Sequence, residues 1–368
     1  MRRVSKVAVV AVTGALALTA TACGSKPKDE SKSTPSASQG AGGGGGTAAK
    51  VKACMVTDTG GIDDRSFNAS AWNGLQQAQK QLGAEVKYVT SKSENDYVPN
   101  LDSLAKENCT VIVAVGGLMA DATTQAAKAN PNQKYVIVDS TSVGDNIKGL
   151  QYNTAQGGFL GGYLAAAQTQ TGKVATFGGK KIPPVTIYMD GFVEGVKYYN
   201  QQKGKNVQVL GWDEAKQDGS MAEKFDSPAD GERIANDFIA QGADVIHPVA
   251  GQTGLGAASA ASKSNGKASI LWVDVDGYES ASNYKSVMLS TVTKAISDSV
   301  FQSVKETSEG KYSTTPYLGT LQNNGTGLAP YHDFDSKVSA ETKNEINQLK
   351  QDIISGKIQI TSPAQPKS

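Results

Sequence analysis

The stretch that decides the fold is residues 52–68, KACMVTDTGGIDDRSFN. It begins as a short apolar run rich in β-branched residues, Lys52–Gly60, and passes through a loop into Phe67–Gly83, where apolar residues recur about every 3.6 positions. A buried strand followed by a loop and an amphipathic helix is the start of a βαβ unit.

The same alternation continues along the chain. Further apolar runs predict strands at Ala84–Ser91, Thr110–Gly117, Lys134–Ser140, Lys173–Gly179, Asn206–Trp212, Asp244–Gly251, Ser269–Asp276 and Ser286–Thr293. Helical segments are predicted at Leu118–Asn130, Met189–Gln202, Asp230–Gly242, Gly254–Asn265, Ala295–Gly310 and Ser339–Gly356. Buried strands separated by helices indicate parallel sheets, and two such series in succession predict an α/β protein with two doubly wound lobes.

The beginning of the chain predicts export and anchoring. A start with two arginines and a lysine precedes Val7–Ala22, a 16-residue apolar stretch. A membrane span needs roughly 20 residues, so this length is typical of a signal peptide, residues 1–22. Small residues before Cys23 resemble a bacterial lipobox and predict a lipidated cysteine; the alternative is plain secretion with Cys23 left free. Residues 23–50, rich in glycine and serine, predict a disordered tether at the extracytoplasmic face of the cell membrane.

The charge and the counts of metal-binding residues exclude two classes of function. The chain has 36 Lys and Arg against 35 Asp and Glu, which leaves no basic surface for nucleic acid. It has only two histidines and three cysteines, so neither a multi-histidine metal centre nor any other cofactor is predicted.

Two of the cysteines could form a disulfide. Cys54 lies early in the first predicted strand, and Cys109 directly precedes the third. These strands are neighbours in a flavodoxin-like sheet, and disulfides persist in exported proteins. A Cys54–Cys109 bridge is therefore one hypothesis, and two buried free cysteines are the other.

Chemically active residues recur at the predicted strand ends, where open α/β sheets bind ligands. They are Asp58, Phe67, Asp139, Phe225, Gly251, Asp274, Asp276 and Lys294. Carboxylates accept hydrogen bonds from sugar hydroxyls, and aromatic faces stack on flat rings, which together favour a ligand with a sugar and a planar base. Asp63 and Asp64 could instead cap the helix that follows them. No arrangement typical of a catalytic triad is present, so binding is favoured over catalysis.

At these residues the chain resembles the basic membrane protein family of ABC-transporter substrate-binding lipoproteins, which includes purine nucleoside receptors. The resemblance runs from about Val51 to Leu328. It rests on the segments DTGGIDDRSFN (58–68), AWNG (71–74), GFVEGV (191–196), GADVI (242–246), VAGQTG (249–254) and VDVD (273–276), with Lys294 downstream.

The resemblance implies a type I periplasmic-binding-protein fold, with two lobes joined by three crossings. The first lobe would contain residues 51–153 and 278–312, and the second would contain residues 154–277 and 313–368. The resemblance also implies a role for each candidate residue. Phe67 and Phe225 would stack on the base, Asp58 and Asp139 would contact polar edges of the ligand, Asp274 or Asp276 and Lys294 would hold hydroxyls, and Gly251 would let the backbone approach closely.

The predicted function is that of a substrate-binding protein and not an enzyme. It would bind a nucleoside, foremost a purine nucleoside, as a monomer and deliver it to an ABC permease driven by a separate ATPase. One alternative is a receptor for another small molecule, such as a sugar or a signal metabolite. Another is a surface-anchored hydrolase that uses Asp58 or Asp274 as acid or base.

Overall fold

A computed structural model describes residues 50–366 of the protein. The predicted signal peptide, Cys23 and the tether up to residue 49 lie outside the described residues. Among the helices of residues 50–366, none is long and apolar enough to span a bilayer.

Strands and helices alternate through the described chain. The first series is β1 (Lys52–Thr57), α1 (Phe67–Leu82), β2 (Glu85–Thr90), α2 (Tyr97–Lys106), β3 (Val111–Val115), α3 (Ala120–Ala129), β4 (Lys134–Val138) and β5 (Ile147–Tyr152). The second series is α4 (Thr154–Gln168), β6 (Lys173–Gly178), α5 (Pro183–Lys203), β7 (Gln208–Leu210), β8 (Trp212–Asp213), β9 (Asp218–Gly219), α6 (Pro228–Ala240), β10 (Val245–Val249), α7 (Thr253–Lys263), β11 (Ser269–Asp274), α8 (Gly277–Ser280) and β12 (Met288–Lys294). The remaining elements are α9 (Ile296–Ser308), β13 (Tyr317–Gly319), β14 (Thr326–Leu328) and α10 (Ala340–Ile354).

The strands form two large sheets with the same internal order. The first sheet has the order β2-β1-β3-β4-β5-β13 with every pair parallel, and the second has the order β7-β6-β10-β11-β12-β14, in which only β14 is antiparallel. Helices cover both sheets, and the two sheets have separate hydrophobic cores. The predicted α/β fold class, with two doubly wound lobes, is confirmed.

The chain passes between the sheets three times. The crossings follow β5, β12 and β13. We call the first sheet with α1, α2, α3 and α9 the first lobe, and the second sheet with α4, α5, α6, α7 and α10 the second lobe. Side chains of α9 pack into the core of the first lobe, although the strand before α9 belongs to the second sheet.

The predicted division of the chain differs from this arrangement in two segments. Residues 278–312 are predicted in the first lobe, but β12 within them pairs with β11 of the second sheet. Residues 313–368 are predicted in the second lobe, but β13 within them pairs with β5 of the first sheet. The physical reason is that an apolar run predicts a strand, as at Ser286–Thr293, but does not say which sheet the strand joins, and the short strand β13 has no clear pattern of its own.

Helix α4 is absent from the sequence prediction because its sequence resembles a loop. It contains Gly157, Gly158, Gly161 and Gly162, and glycine disfavours helix by about 1 kcal/mol per residue. The helix is almost entirely buried, so it lacks an amphipathic period. A Cβ on Gly162 would lie 2.0 Å from the carbonyl oxygen of Phe192 in α5, so the glycines allow the two helices to pack backbone against backbone.

Cys54 and Cys109 are joined by a disulfide, with their Cα atoms 5.9 Å apart. Cys54 lies in β1, and Cys109 precedes β3, which pairs with β1. The bridge joins residues 55 positions apart in the chain. It lies toward the amino ends of β1 and β3, away from the carboxyl ends of the strands.

Candidate ligand-binding site between the two lobes

A cavity lies between the lobes, at the carboxyl ends of strands from both sheets. The space between its lining atoms amounts to about 570 Å³, part of which is open to solvent. Seven of the residues singled out from the sequence line it: Asp58, Phe67, Asp139, Phe225, Gly251, Asp274 and Lys294.

Asp58, directly after β1, is held by hydrogen bonds from its own loop and from the first turn of α1. Its Oδ1 accepts hydrogen bonds from the Gly60 backbone N–H at 3.0 Å and from Asn68 Nδ2 at 2.7 Å. Burial raises the pKa of the Asp58 carboxyl, and the bond from Asn68 opposes this shift. A Cβ on Gly116, which has φ +125°, would lie 3.0 Å from Asp58 Oδ2, so a glycine there leaves room for the carboxylate.

Asp64 caps helix α1. Its Oδ1 accepts hydrogen bonds from the backbone N–H groups of Ser66 and Ala69, and its Oδ2 accepts one from the N–H of Asn68 at 2.7 Å. Burial raises the pKa of Asp64 to about 7, against the effect of these three donors. The capping interpretation is confirmed for Asp64, which also lines the cavity. The cap fixes the start of α1 and therefore the position of Phe67.

Asp139 and Asp274 occupy equivalent places in the two sheets. Asp139 follows β4 and Asp274 ends β11, and both have left-handed backbone conformations, with φ +64° and φ +67°. Such conformations are uncommon outside glycine, although Asp and Asn tolerate them best. They turn both carboxylates toward the cavity instead of along their strands.

Lys294 connects the two sheets electrostatically. Its Nζ lies 2.7 Å from Asp139 Oδ2, and the two side chains are only 3% and 7% exposed. The ammonium also lies 5.0 Å from the ring centroid of Phe67 and 5.3 Å from that of Tyr152, within cation–π range. Burial raises the pKa of Asp139 to about 6, and the ion pair with Lys294 opposes this shift.

The two phenylalanines line the cavity from opposite lobes. Phe67 begins α1 of the first lobe, and Phe225 lies in the loop between β9 and α6 of the second lobe. A Cβ on Gly179 would lie 2.3 Å from ring carbons of Phe225, so the ring rests directly on this glycine. Gly251 has φ +54° and lies next to Phe225. Both rings are half-buried and present an apolar surface to the cavity.

Asp276 does not belong to this group. Its Oδ1 accepts a hydrogen bond from the Tyr278 backbone N–H, and its Oδ2 lies 2.6 Å from His332 Nε2. Asp276 therefore caps the short helix α8 and pairs with His332 outside the cavity. Two positions beyond Asp274, the chain has already left the strand end and turned into α8.

Sequence reasoning missed the contribution of α5 and of Asn68. Ile182, Pro184, Val185 and Tyr188 form one wall of the cavity. The helix was predicted to start at Met189, but it starts at Pro183. The proline pair at the start was the available signal, since proline favours the first turn of a helix.

Contacts also join the lobes outside the cavity. Lys180 Nζ of the second lobe lies 2.8 Å from Glu94 Oε1 of the first, and Arg65 Nη1 donates to the Ser280 carbonyl oxygen at 3.3 Å. In the part of the chain that the structure describes, no group of three or more His, Cys, Asp or Glu side chains is arranged to hold a metal ion. The cavity is thus a partly open, partly apolar space lined by carboxylates and one ammonium.

Comparison with known proteins agrees with this architecture. The family described as "ABC transporter substrate-binding protein PnrA-like" matches residues 51–363. The "ABC transporter nucleoside-binding protein BmpA" of Lactococcus lactis is 32% identical over 332 residues, covering 85% of this chain and 89% of that protein. An "Uncharacterized lipoprotein" of Pyrococcus abyssi is 30% identical, covering 82% of this chain and 74% of that protein.

The fold is similar to that of solved substrate-binding proteins. A solute-binding protein of an ABC transporter system from Aeropyrum pernix superposes with a TM-score of 0.77 at 24% identity, covering 86% of this chain and 94% of that one.

Proposed function

Since the chain belongs to the family of PnrA-like ABC-transporter substrate-binding proteins, we propose that its cavity binds a nucleoside, foremost a purine nucleoside. Members of this family bind solutes for an ABC importer and are not enzymes. The observation that carries the proposal is the pair of rings, Phe67 and Phe225, which line one cavity from opposite lobes. Two aromatic surfaces in one cavity suit a planar base, and base–aromatic stacking contributes roughly 1–3 kcal/mol per base.

The polar residues of the cavity suit the rest of a nucleoside. Asp58 would accept a hydrogen bond from a base N–H through Oδ2, because Oδ1 already accepts bonds from Gly60 and Asn68. Asp139, Asp274 and Lys294 would serve the polar groups of the ligand, and Gly251 would allow a close backbone approach. The name of the Lactococcus lactis relative supports this ligand class. Asp276 is not part of the proposed site.

We propose that the ligand acts by closing the lobes. Contacts from both lobes to one ligand exist only when the lobes are together, so binding shifts the hinge equilibrium toward the closed form. The three crossings after β5, β12 and β13 would form the hinge. The Glu94–Lys180 pair and the Arg65–Ser280 contact add to the closed form. This form would dock the permease, and a separate ATPase would drive import.

Calorimetry and thermal unfolding with a panel of ligands test the ligand class. Inosine, guanosine and adenosine should raise the unfolding temperature and bind at one per chain, because a ligand specific for the folded state stabilises it. Phe225→Ala should weaken binding by about tenfold, whereas Phe238→Leu, a change in the core of the second lobe away from the cavity, should not. Stabilisation by ribose or galactose, with none by any nucleoside, would refute the proposal.

We propose further that Cys23 carries a lipid that anchors the protein at the extracytoplasmic face of the membrane. The support is the sequence around Cys23 and the name of the archaeal lipoprotein relative. Membrane fractionation of cells that express the full chain tests this proposal. Wild type should sediment with membranes and Cys23→Ser should not; equal sedimentation of the two proteins would refute the anchor.

A further inference from the structure

Tyr188, in the wall of the cavity, makes a hydrogen bond to one of the carboxylates of the proposed site. Tyr188 Oη donates to Asp274 Oδ1 at 2.9 Å, and both residues line the cavity. Tyr188 is 1% exposed and Asp274 is 7% exposed, so the bond is shielded from bulk water. A hydrogen bond from a neutral donor to a carboxylate is stronger than one between two neutral groups.

The two oxygens of Asp274 differ in their hydrogen bonds. Oδ1 is occupied by Tyr188, and among the hydrogen bonds of residues 50–366 none ends on Oδ2. A free carboxylate can grip two vicinal hydroxyls, one with each oxygen. The bond from Tyr188 takes one acceptor position of Oδ1 and fixes the orientation of the carboxylate, so Oδ2 is the oxygen left with all its acceptor capacity.

The donor is also held in place. Burial raises the pKa of the Tyr188 hydroxyl well above its usual range, and the neighbouring Asp274 carboxylate adds to this shift, so the hydroxyl keeps its proton. A Cβ on Gly158 of α4 would lie 2.7 Å from the Tyr188 carbonyl oxygen, which shows how tightly the backbone at Tyr188 packs on α4. The ring of Tyr188 also lies 5.5 Å from Lys294 Nζ.

We propose that Tyr188 is a positioning residue: its hydroxyl holds the Asp274 carboxylate in one orientation, with Oδ2 left to accept from a ligand hydroxyl. The inference rests on the proposed nucleoside function and deepens it. The left-handed backbone of Asp274 directs its side chain to the cavity, and the bond from Tyr188 holds the carboxylate there. Ligands that carry a hydroxyl at that point should therefore gain affinity from Tyr188, and ligands that lack it should not.

Tyr188→Phe removes only the hydroxyl, and Tyr163→Phe is its matched control. Tyr163 is 2% exposed, lies in the same lobe and donates to Glu345 Oε2 at 2.9 Å, away from the cavity. Binding of inosine and of 2′,3′-dideoxyinosine is measured for wild type and both variants, by calorimetry for inosine and by competition for the dideoxy compound. Tyr188→Phe should weaken inosine binding about tenfold and dideoxyinosine binding less than twofold, and Tyr163→Phe should change neither.

A second measurement uses inosine alone and does not require binding of 2′,3′-dideoxyinosine. In a double-mutant cycle, Tyr188→Phe should have almost no further effect on inosine binding when Asp274→Asn is already present, because Tyr188 acts through that carboxylate. Equal weakening of both ligands by Tyr188→Phe, or additive effects in the cycle, would overturn the inference and leave Tyr188 a packing residue. If wild type binds neither compound and no other nucleoside, the proposed function itself fails, and this inference fails with it.

Discussion

Lys294 Nζ lies 2.7 Å from Asp139 Oδ2, and this buried ion pair joins the last residue of β12 in the second sheet to the residue that follows β4 in the first. Because the chain crosses between lobes directly after Lys294, the pair sits beside the second crossing. It is both part of the proposed site and a bond between the lobes.

The first prediction concerns this pair. Lys294→Gln leaves a buried carboxylate without its partner, which should lower the free energy of unfolding by roughly 3 kcal/mol. Asp139→Asn with Lys294→Gln should lower it less, since no unpaired charge remains. Denaturant unfolding of the two single variants and the double variant measures the coupling, and a double variant as unstable as the sum of both singles would show that the pair is not coupled. Nucleoside affinity should fall in all three.

The second prediction concerns pH. The pKa of Asp139 is raised to about 6, above its ordinary value of 3.8, because it is buried. The folded protein therefore binds this proton more tightly than the unfolded chain. The contribution of this group to stability is present at low pH and is lost as the pH rises through 6.

Ligand affinity should follow pH in the opposite sense. Below pH 6 the protonated Asp139 no longer pairs as an anion with Lys294 or with ligand donors, so nucleoside affinity should fall up to about tenfold between pH 7 and pH 5. Calorimetry across this range checks the slope. Asp139→Asn should flatten it, and a variant that keeps the full wild-type slope would assign the titration to another group.

The third prediction concerns the support under Phe225. Gly179→Ala keeps the ring but places a methyl group where the Phe225 ring carbons lie, 2.3 Å from an ideal Cβ. The ring must move, so nucleoside affinity should fall at least fivefold with the fold intact. Gly327→Ala is the control, because the atom nearest to the added Cβ would be Thr293 Oγ1 at an ordinary 3.5 Å. Titration of both variants with inosine gives the two affinities. If the affinities are equal, the position of the Phe225 ring on Gly179 does not matter for binding, and the prediction is wrong.

The fourth prediction concerns the disulfide between Cys54 and Cys109. The two cysteines are 55 residues apart, so the chain-entropy estimate gives a stabilisation of about 4 kcal/mol. Replacing both cysteines by alanine, or adding reductant, should lower the unfolding temperature of the first lobe. Mass spectrometry after alkylation under denaturing conditions without reductant checks the bridge directly. Two alkylated thiols in Cys54 and Cys109 would contradict it.

Most of the fold could be predicted from the sequence because most of the parallel strands are continuous apolar runs. β1, β3, β4, β6, β10 and β11 are buried along nearly their whole length and stand out from their neighbours. β5, with the sequence IKGLQY, does not, since it contains a lysine, a glycine and a glutamine. Lys148 is tolerated there because it pairs with Glu306 of α9, a partner that lies 158 positions away in the chain. Partners of that kind have no local signature.

The site was accessible to prediction to a similar degree. Residues directly at strand ends, such as Asp58 and Lys294, follow from the rule that places ligands at the carboxyl edges of open sheets. Asp274 and Asp276 differ only in how the backbone turns after β11, and that turn depends on the left-handed conformation of Asp274, which periodicity does not reveal. Tyr188 reaches the cavity because α4 and α5 pack closely, which is a tertiary property.

The contact between α4 and α5 has a mechanical consequence. Packed protein interiors transmit strain, and Gly158 and Gly162 bring the backbones of α4 and α5 into direct contact, so the two helices should move together as one body. α4 starts two residues after β5 ends, at the first crossing, and α5 forms a wall of the cavity. A rotation of the second lobe at the first crossing should therefore move α4 and α5 together, and with them the wall of the cavity that α5 forms.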